Sequence, residues 1–105
     1  MTLELHTISR DGLYRAEAIY NEGTVIVRKG SKINTCPGSK YIPAMDIKAK
    51  LDDRDIVDVD GVVLKDTIFT SLSKAACFVT GRSANGMITW KTPDGKYVRY
   101  TLEKK

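Results

Sequence analysis

The chain has 105 residues, a formal net charge of +4 with a pI near 9.1, and 42% hydrophobic residues, enough for one modest core but not for two. No apolar run approaches the roughly 20 residues of a membrane span, and the opening MTLELHTISRDG has neither a basic n-region nor an apolar h-region, so a cytoplasmic protein without a membrane segment is expected. Cys36 and Cys77 are far apart and form no C-x-x-C pair, which excludes a disulfide framework and points to reduced thiols.

In chain order, the first thirty residues predict a three-stranded meander: LELHTIS, GLYRAEAIYNEG and TVIVRKG alternate apolar and polar residues and are separated by glycine-containing breaks. Thr35 to Lys40 (TCPGSK) is a loop. A helix follows, with Ile42, Met45, Ile47 and Leu51 near helical spacing and Pro43 in its first turn. Asp60-Gly61 signals a tight hairpin between two short strands, Ile56 to Val59 and Val62 to Lys65.

Next, Ser71 is the N-cap of a second helix whose Leu72, Ala75, Ala76 and Val79 fall on one face and whose stop is Gly81. The two alanines leave little side chain on that face, so the helix is able to lie close against a sheet. The last segment, MITWKTPDGKYVRYTLE, predicts two alternating strands around the turn TPDG. Ile88 and Trp90 would then share the apolar face with Val98, Tyr100 and Leu102, while Thr89, Lys91, Tyr97 and Arg99 point outward. The sum is one α+β domain over residues 1–105, mostly antiparallel strands and hairpins with two helices packed on the sheet.

Charge is unevenly spread. Residues 21–50 hold six Lys/Arg against two Asp/Glu and residues 67–105 hold seven against two, whereas residues 51–66 hold six acids against two bases. Basic segments of this kind suit a polyanion, because each cation set on a phosphate releases counterions. The stretch TGRSANGMITWK, from Thr80 to Lys91, concentrates the candidates. Arg82 is able to grip phosphate or guanine with two parallel N–H bonds, Asn85 to pair with adenine, and Ser83 lies between them. The plainer reading of the same residues is a helix stop at Gly81 and a turn at Asn85-Gly86. Lys29 and Ser31 close the third strand at a turn that lacks the spacing of a phosphate-binding P-loop.

Neither a metal site nor a catalytic centre is legible. A calcium loop aligned on Asp58, Asp60 and Gly61 would put Ile56 and Thr67 at its first and twelfth positions, so two principal ligands are missing and no metal or other cofactor is expected. His6 is the only histidine, and Cys77 falls among the apolar residues of a helix, which leaves a small hydrolase built on these two as the weakest reading.

The elements VIVRKGS, FTSLSKAACFVTGRSANG and WKTPDG, in this order and spacing, resemble the family called domain of unknown function 4357, over roughly residues 24–95. Leu72 stands where that family often has proline, and Met87 where an aromatic residue is common. The family is an appendage of GIY-YIG nucleases and restriction-modification proteins and is similar to the restriction-enzyme and adenine-methylase associated domain. The resemblance implies a non-catalytic accessory module that recognises DNA, modified DNA included, in a restriction-modification or mobile-element context. Joined to the residue reading, it makes Lys29, Ser31, Lys74, Arg82, Ser83, Asn85, Lys91 and Arg99 the expected contacts to nucleic acid. The alternative is a protein-interaction module that docks a nuclease or methylase subunit.

Overall fold

The computed structural model describes residues 2–35 and 44–103. Strands β1 (Thr2–Ile8), β2 (Arg15–Asn21) and β3 (Thr24–Val27) form the expected meander, and β4 (Thr67–Phe69) joins β3, so a single antiparallel sheet runs in the order β1-β2-β3-β4. The β2–β3 connection is two residues, Glu22 and Gly23, with φ of 48° and 88°. Positive φ at both positions is what a type I′ turn needs to match the twist of the strands it joins.

Alternation sets the two faces. Leu5, Ala16, Ala18, Val25, Val27 and Phe69 are buried on one of them, where each fully covered Val or Phe contributes about 1.5–3 kcal/mol. Helix α2 (Leu72–Thr80) contacts β2, β3 and β4 and buries Ala75, Ala76, Phe78 and Val79 in the same cluster. Phe78 meets Phe69 with ring centroids 5.0 Å apart. Alanines at 16, 18, 75 and 76 keep both surfaces low, as a helix lying close on a sheet requires. Both ends of α2 follow the sequence reading: Ser71 Oγ accepts from the N–H of Lys74, and Gly81 adopts the left-handed conformation at φ 70° with its N–H on Cys77 O.

Helix α1 (Met45–Asp52) packs on α2 through its buried Ile47 and half-buried Leu51, but Met45 is 89% exposed and lies off the buried face. Ile42, Pro43 and most of the TCPGSK loop, Cys36 included, lie outside the described residues. The Asp60-Gly61 hairpin exists in reduced form. Val57 and Val63 make a single bridge, flanked by Asp58 N–H to Val62 O and Leu64 N–H to Ile56 O. Asp58 Oδ1 accepts from the N–H groups of Asp60 and Val62 at 2.9 Å, so this acid braces the turn.

The C-terminal segment corrects the sequence reading. It forms no pair of strands: Gly86–Ile88 is a 3-10 turn, Lys91 makes isolated bridges to His6 and Tyr97, and Val98–Glu103 is the helix α3. Val98 and Leu102 are four residues apart, a spacing that alternation and a helix share; the helix buries Val98, half-buries Leu102 and leaves Tyr100 62% exposed. Ile88 is likewise exposed and does not share a face with the fully buried Trp90.

Candidate nucleic-acid interface

The stretch from Gly81 to Trp90 runs back along α2. Cys77 Sγ lies 3.8 Å from Ala84 O, the N–H of Gly86 donates to Ser73 Oγ at 3.1 Å, and Trp90 Nε1 donates to Leu72 O at 3.1 Å. At the other end of the helix, the buried Asn34 donates its N–H to Val79 O and its Nδ2 to Thr80 O, both at 2.9 Å, occupying carbonyls of the last turn. Asn85 Oδ1 accepts from the N–H of Met87 at 2.9 Å, and its backbone oxygen accepts from Thr89 Oγ1. The plainer reading therefore accounts for Gly81 and Asn85, whereas Gly86 is fixed by its bond to Ser73. Arg82 and Ser83 are exposed on a loop tied down on both sides of them.

Arg82 lies within electrostatic reach of the β1–β2 turn. The Asp11 carboxyl is held below its usual range by the Ser9 hydroxyl, then by the N–H of Leu13, with the charge of Arg82 a smaller contribution. Arg10 is exposed on that same turn. A second basic grouping follows from strand pairing: Arg15 and Lys32 exchange both backbone hydrogen bonds, at 2.9 and 2.8 Å. Arg15 also shares a hollow of about 260 Å³ with Glu17, Lys29, Gly30 and Ser31. Ser31 is itself buried, with its Oγ accepting from Glu17 N–H and donating to Glu17 O. The N–H of Lys29 is held by Asp66 Oδ1 at 2.9 Å.

The remaining expected contacts stand apart from these groups. Lys74 Nζ pairs with Asp46 Oδ2 at 2.9 Å, joining α2 to α1. Lys91 Nζ sits 5.3 Å from the Tyr97 ring centroid, and Arg99 is exposed on α3. The hydrogen bond from Lys74 holds the Asp46 carboxyl below its ordinary value. Lys74→Met should raise that pKa toward normal, readable as a carboxyl-carbon NMR titration. A lowered carboxyl pKa stabilises the fold above the unfolded value and loses that contribution as pH falls through the folded one. Because both groups are exposed, the unfolding midpoint at neutral pH should scarcely move.

Arg10, Arg15 and Lys32 escaped the sequence reading. The signal available was only that Lys32 follows the third strand closely enough to continue along β2, and pairing Arg15 with Lys32 needs the register that the folded sheet supplies. His6 lies in β1 on the face of the sheet away from α2, and Cys77 belongs to α2, so the sheet stands between them. Among the described residues, no group of three or more His, Cys, Asp or Glu is placed to hold a metal ion, and no helix is long and apolar enough to cross a membrane.

A family model described as domain of unknown function (DUF4357) matches residues 7–101, a wider span than the sequence elements by themselves suggested. No curated protein and no solved structure matches the chain.

Proposed function

The chain belongs to the domain of unknown function 4357 family, and from that premise we propose that it is a non-catalytic, cytoplasmic nucleic-acid-binding module that reads DNA. The observation that carries this reading is the exposure of Arg82 and Ser83 on a loop braced on both sides against α2. A cation held on a rigid loop loses little freedom when it meets a phosphate or a base edge. Arg10 near Arg82, and Arg15 with Lys29 and Lys32 at the end of the sheet, would extend the contact along a phosphate backbone. Lys91 over the Tyr97 ring and Arg99 on α3 are further candidate cations. In a restriction-modification or mobile-element setting, such a module would hold a nuclease or methylase on its substrate.

Arg82→Ala should weaken duplex binding by about 1–3 kcal/mol if the contact is bidentate to a base, and by less if it is to phosphate alone. Arg15→Ala and Lys32→Ala should each flatten the salt dependence of log K by about one unit of slope. Fluorescence anisotropy over a salt series reads both effects, with methylated and unmodified duplexes compared. If the parent protein binds no DNA at low salt, or if all three variants bind as the parent does, the reading is wrong.

A further inference from the structure

On one face the sheet is covered by α2; on the other, Pro93 shares a hollow of about 310 Å³ with Glu4, His6, Glu17, Ile19 and Arg28. Among the described residues no helix packs on the side away from α2, and Ile68 on β4 is 58% exposed. Between a row of Thr2, Asn21 and Thr24 and the pair Ile8 and Arg15, two rows cross this open face from β1 to β4. In the first, Glu4 stands opposite Ile19, Ile19 opposite Ile26, and Ile26 opposite Ile68. In the second, His6 stands opposite Glu17, the N–H of Arg28 donates to Glu17 O, and Asp66 continues β4 beside Arg28, since Val27 pairs with Thr67. A row of three isoleucines that ends in Glu4 thus runs beside a row in which Glu17 and Asp66 flank Arg28 and His6 stands at the end. Neither Glu17 nor Arg28 enters the two salt bridges found among the described residues.

The charged row is complementary to its own reverse. We propose that this face is an isologous dimer interface, its occupant a second copy of the chain. The two-fold axis runs between the sheets, parallel to the strands and midway between β2 and β3. That operation lays β1 over the partner's β4 and β2 over the partner's β3, keeping each row in line with itself. Ile19 then meets the partner's Ile26, Glu17 meets the partner's Arg28, His6 meets the partner's Asp66, and Glu4 meets the partner's Ile68 at the rim, each contact occurring twice. Face-to-face sheets pack in this way about 10 Å apart and within about 30° of parallel. The middle of the face fits a polyanion poorly, because Glu4, Glu17 and Asp66 stand on it, while Arg15 lies at its edge. β1 and β2 have seven residues each, β3 four and β4 three, which at about 3.3 Å per residue and about 4.8 Å between strands offers roughly 330 Å² per copy, the size of a weak, transient contact, so the dimer belongs to the high-micromolar range or above.

Sedimentation equilibrium over a concentration series reads the association. Glu17→Arg places like charges opposite each other twice and should weaken the dimer by about tenfold or more. The double variant Glu17→Arg with Arg28→Glu restores complementarity and should return the dissociation constant to within about threefold of the parent's, which no loss of folding imitates. Should Glu17→Arg fail to fold, Ile26→Thr, a strand-forming change at a half-exposed site, serves in its place and should weaken the dimer by about tenfold. A parent that stays monomeric up to millimolar concentration, a dimer indifferent to these changes, or a loss that the charge swap does not restore overturns the proposal. The dimer variants leave Arg82, Arg15 and Lys32 unchanged, and anisotropy with DNA reads those three, so the failure of either reading is seen by itself.

Discussion

Replacing Gly86 with alanine should destabilise the protein by about 3 kcal/mol, the upper range for forcing atoms into a packed interior. A Cβ at this position would lie 2.2 Å from the carbonyl carbon of Leu72, 2.4 Å from its oxygen and 2.5 Å from the nitrogen of Ser73. All three are backbone atoms at the start of α2, so no side chain is able to swing aside. The sequence suggests a turn glycine needing positive φ, yet Gly86 is absent from the residues with positive φ. Its requirement is closeness: the chain passes directly over the helix, held by the bond from its N–H to Ser73 Oγ. Gly95 is the control, with φ 86° and no atom within 4 Å of the place a Cβ would take, so Gly95→Ala should cost only the about 1–2 kcal/mol of left-handed backbone. Urea unfolding of both variants decides; a Gly86→Ala protein no less stable than Gly95→Ala would remove the close-approach argument.

Trp90→Ala should cost about 3–5 kcal/mol, enough to unfold much of a marginal small domain. Trp90 is fully buried and the largest side chain in the core, and its Nε1 donates to Leu72 O. Trp90→Phe separates the two contributions: it keeps most of the apolar volume but removes the donor from a buried carbonyl, and should cost about 1–3 kcal/mol. Calorimetric unfolding checks both. A Trp90→Phe protein as stable as the parent would mean that the indole N–H has no structural role. Gly86 and Trp90 act on the same first turn of α2, so their double variant should be non-additive.

Within the candidate site, the sequence distinguished Arg82 and Ser83 from their neighbours only by residue type. Gly81 and Asn85 were legible as a helix stop and a turn, and they act as such, because both roles depend on bonds to residues within four positions. The grouping of Arg15 with Lys32 was not legible. It rests on a bridge across seventeen positions that follows from where the chain turns after β3. Lys74 looked like an open cation until α1 brought Asp46 to it from 28 positions away.

By itself, the sequence determined the meander and the second helix. Leu5, Ala16, Ala18, Val25 and Val27 are inward at period two, a glycine-containing break separates β2 from β3, and Ser71 and Gly81 bound a helix with one apolar face. Such signals are local, since each is a backbone preference or a periodicity read within a few residues. Tertiary structure decided the rest. Strand β4 is three residues long, too short to announce itself, and exists because β3 has a free edge to pair with. The last segment carried a pattern compatible with both strand and helix. Its outcome was set by Trp90 reaching Leu72 O and by Lys91 pairing with His6, which use up the segment's strand pairing and leave residues 98–103 free to close into a helix over the buried Val98. The two rows on the open sheet face are local only at their centre: the turn at Glu22-Gly23 sets Glu17 beside Arg28 and Ile19 beside Ile26, whereas Glu4, His6, Ile68 and Asp66 join them through the registers of β1 and β4, which the folded sheet supplies.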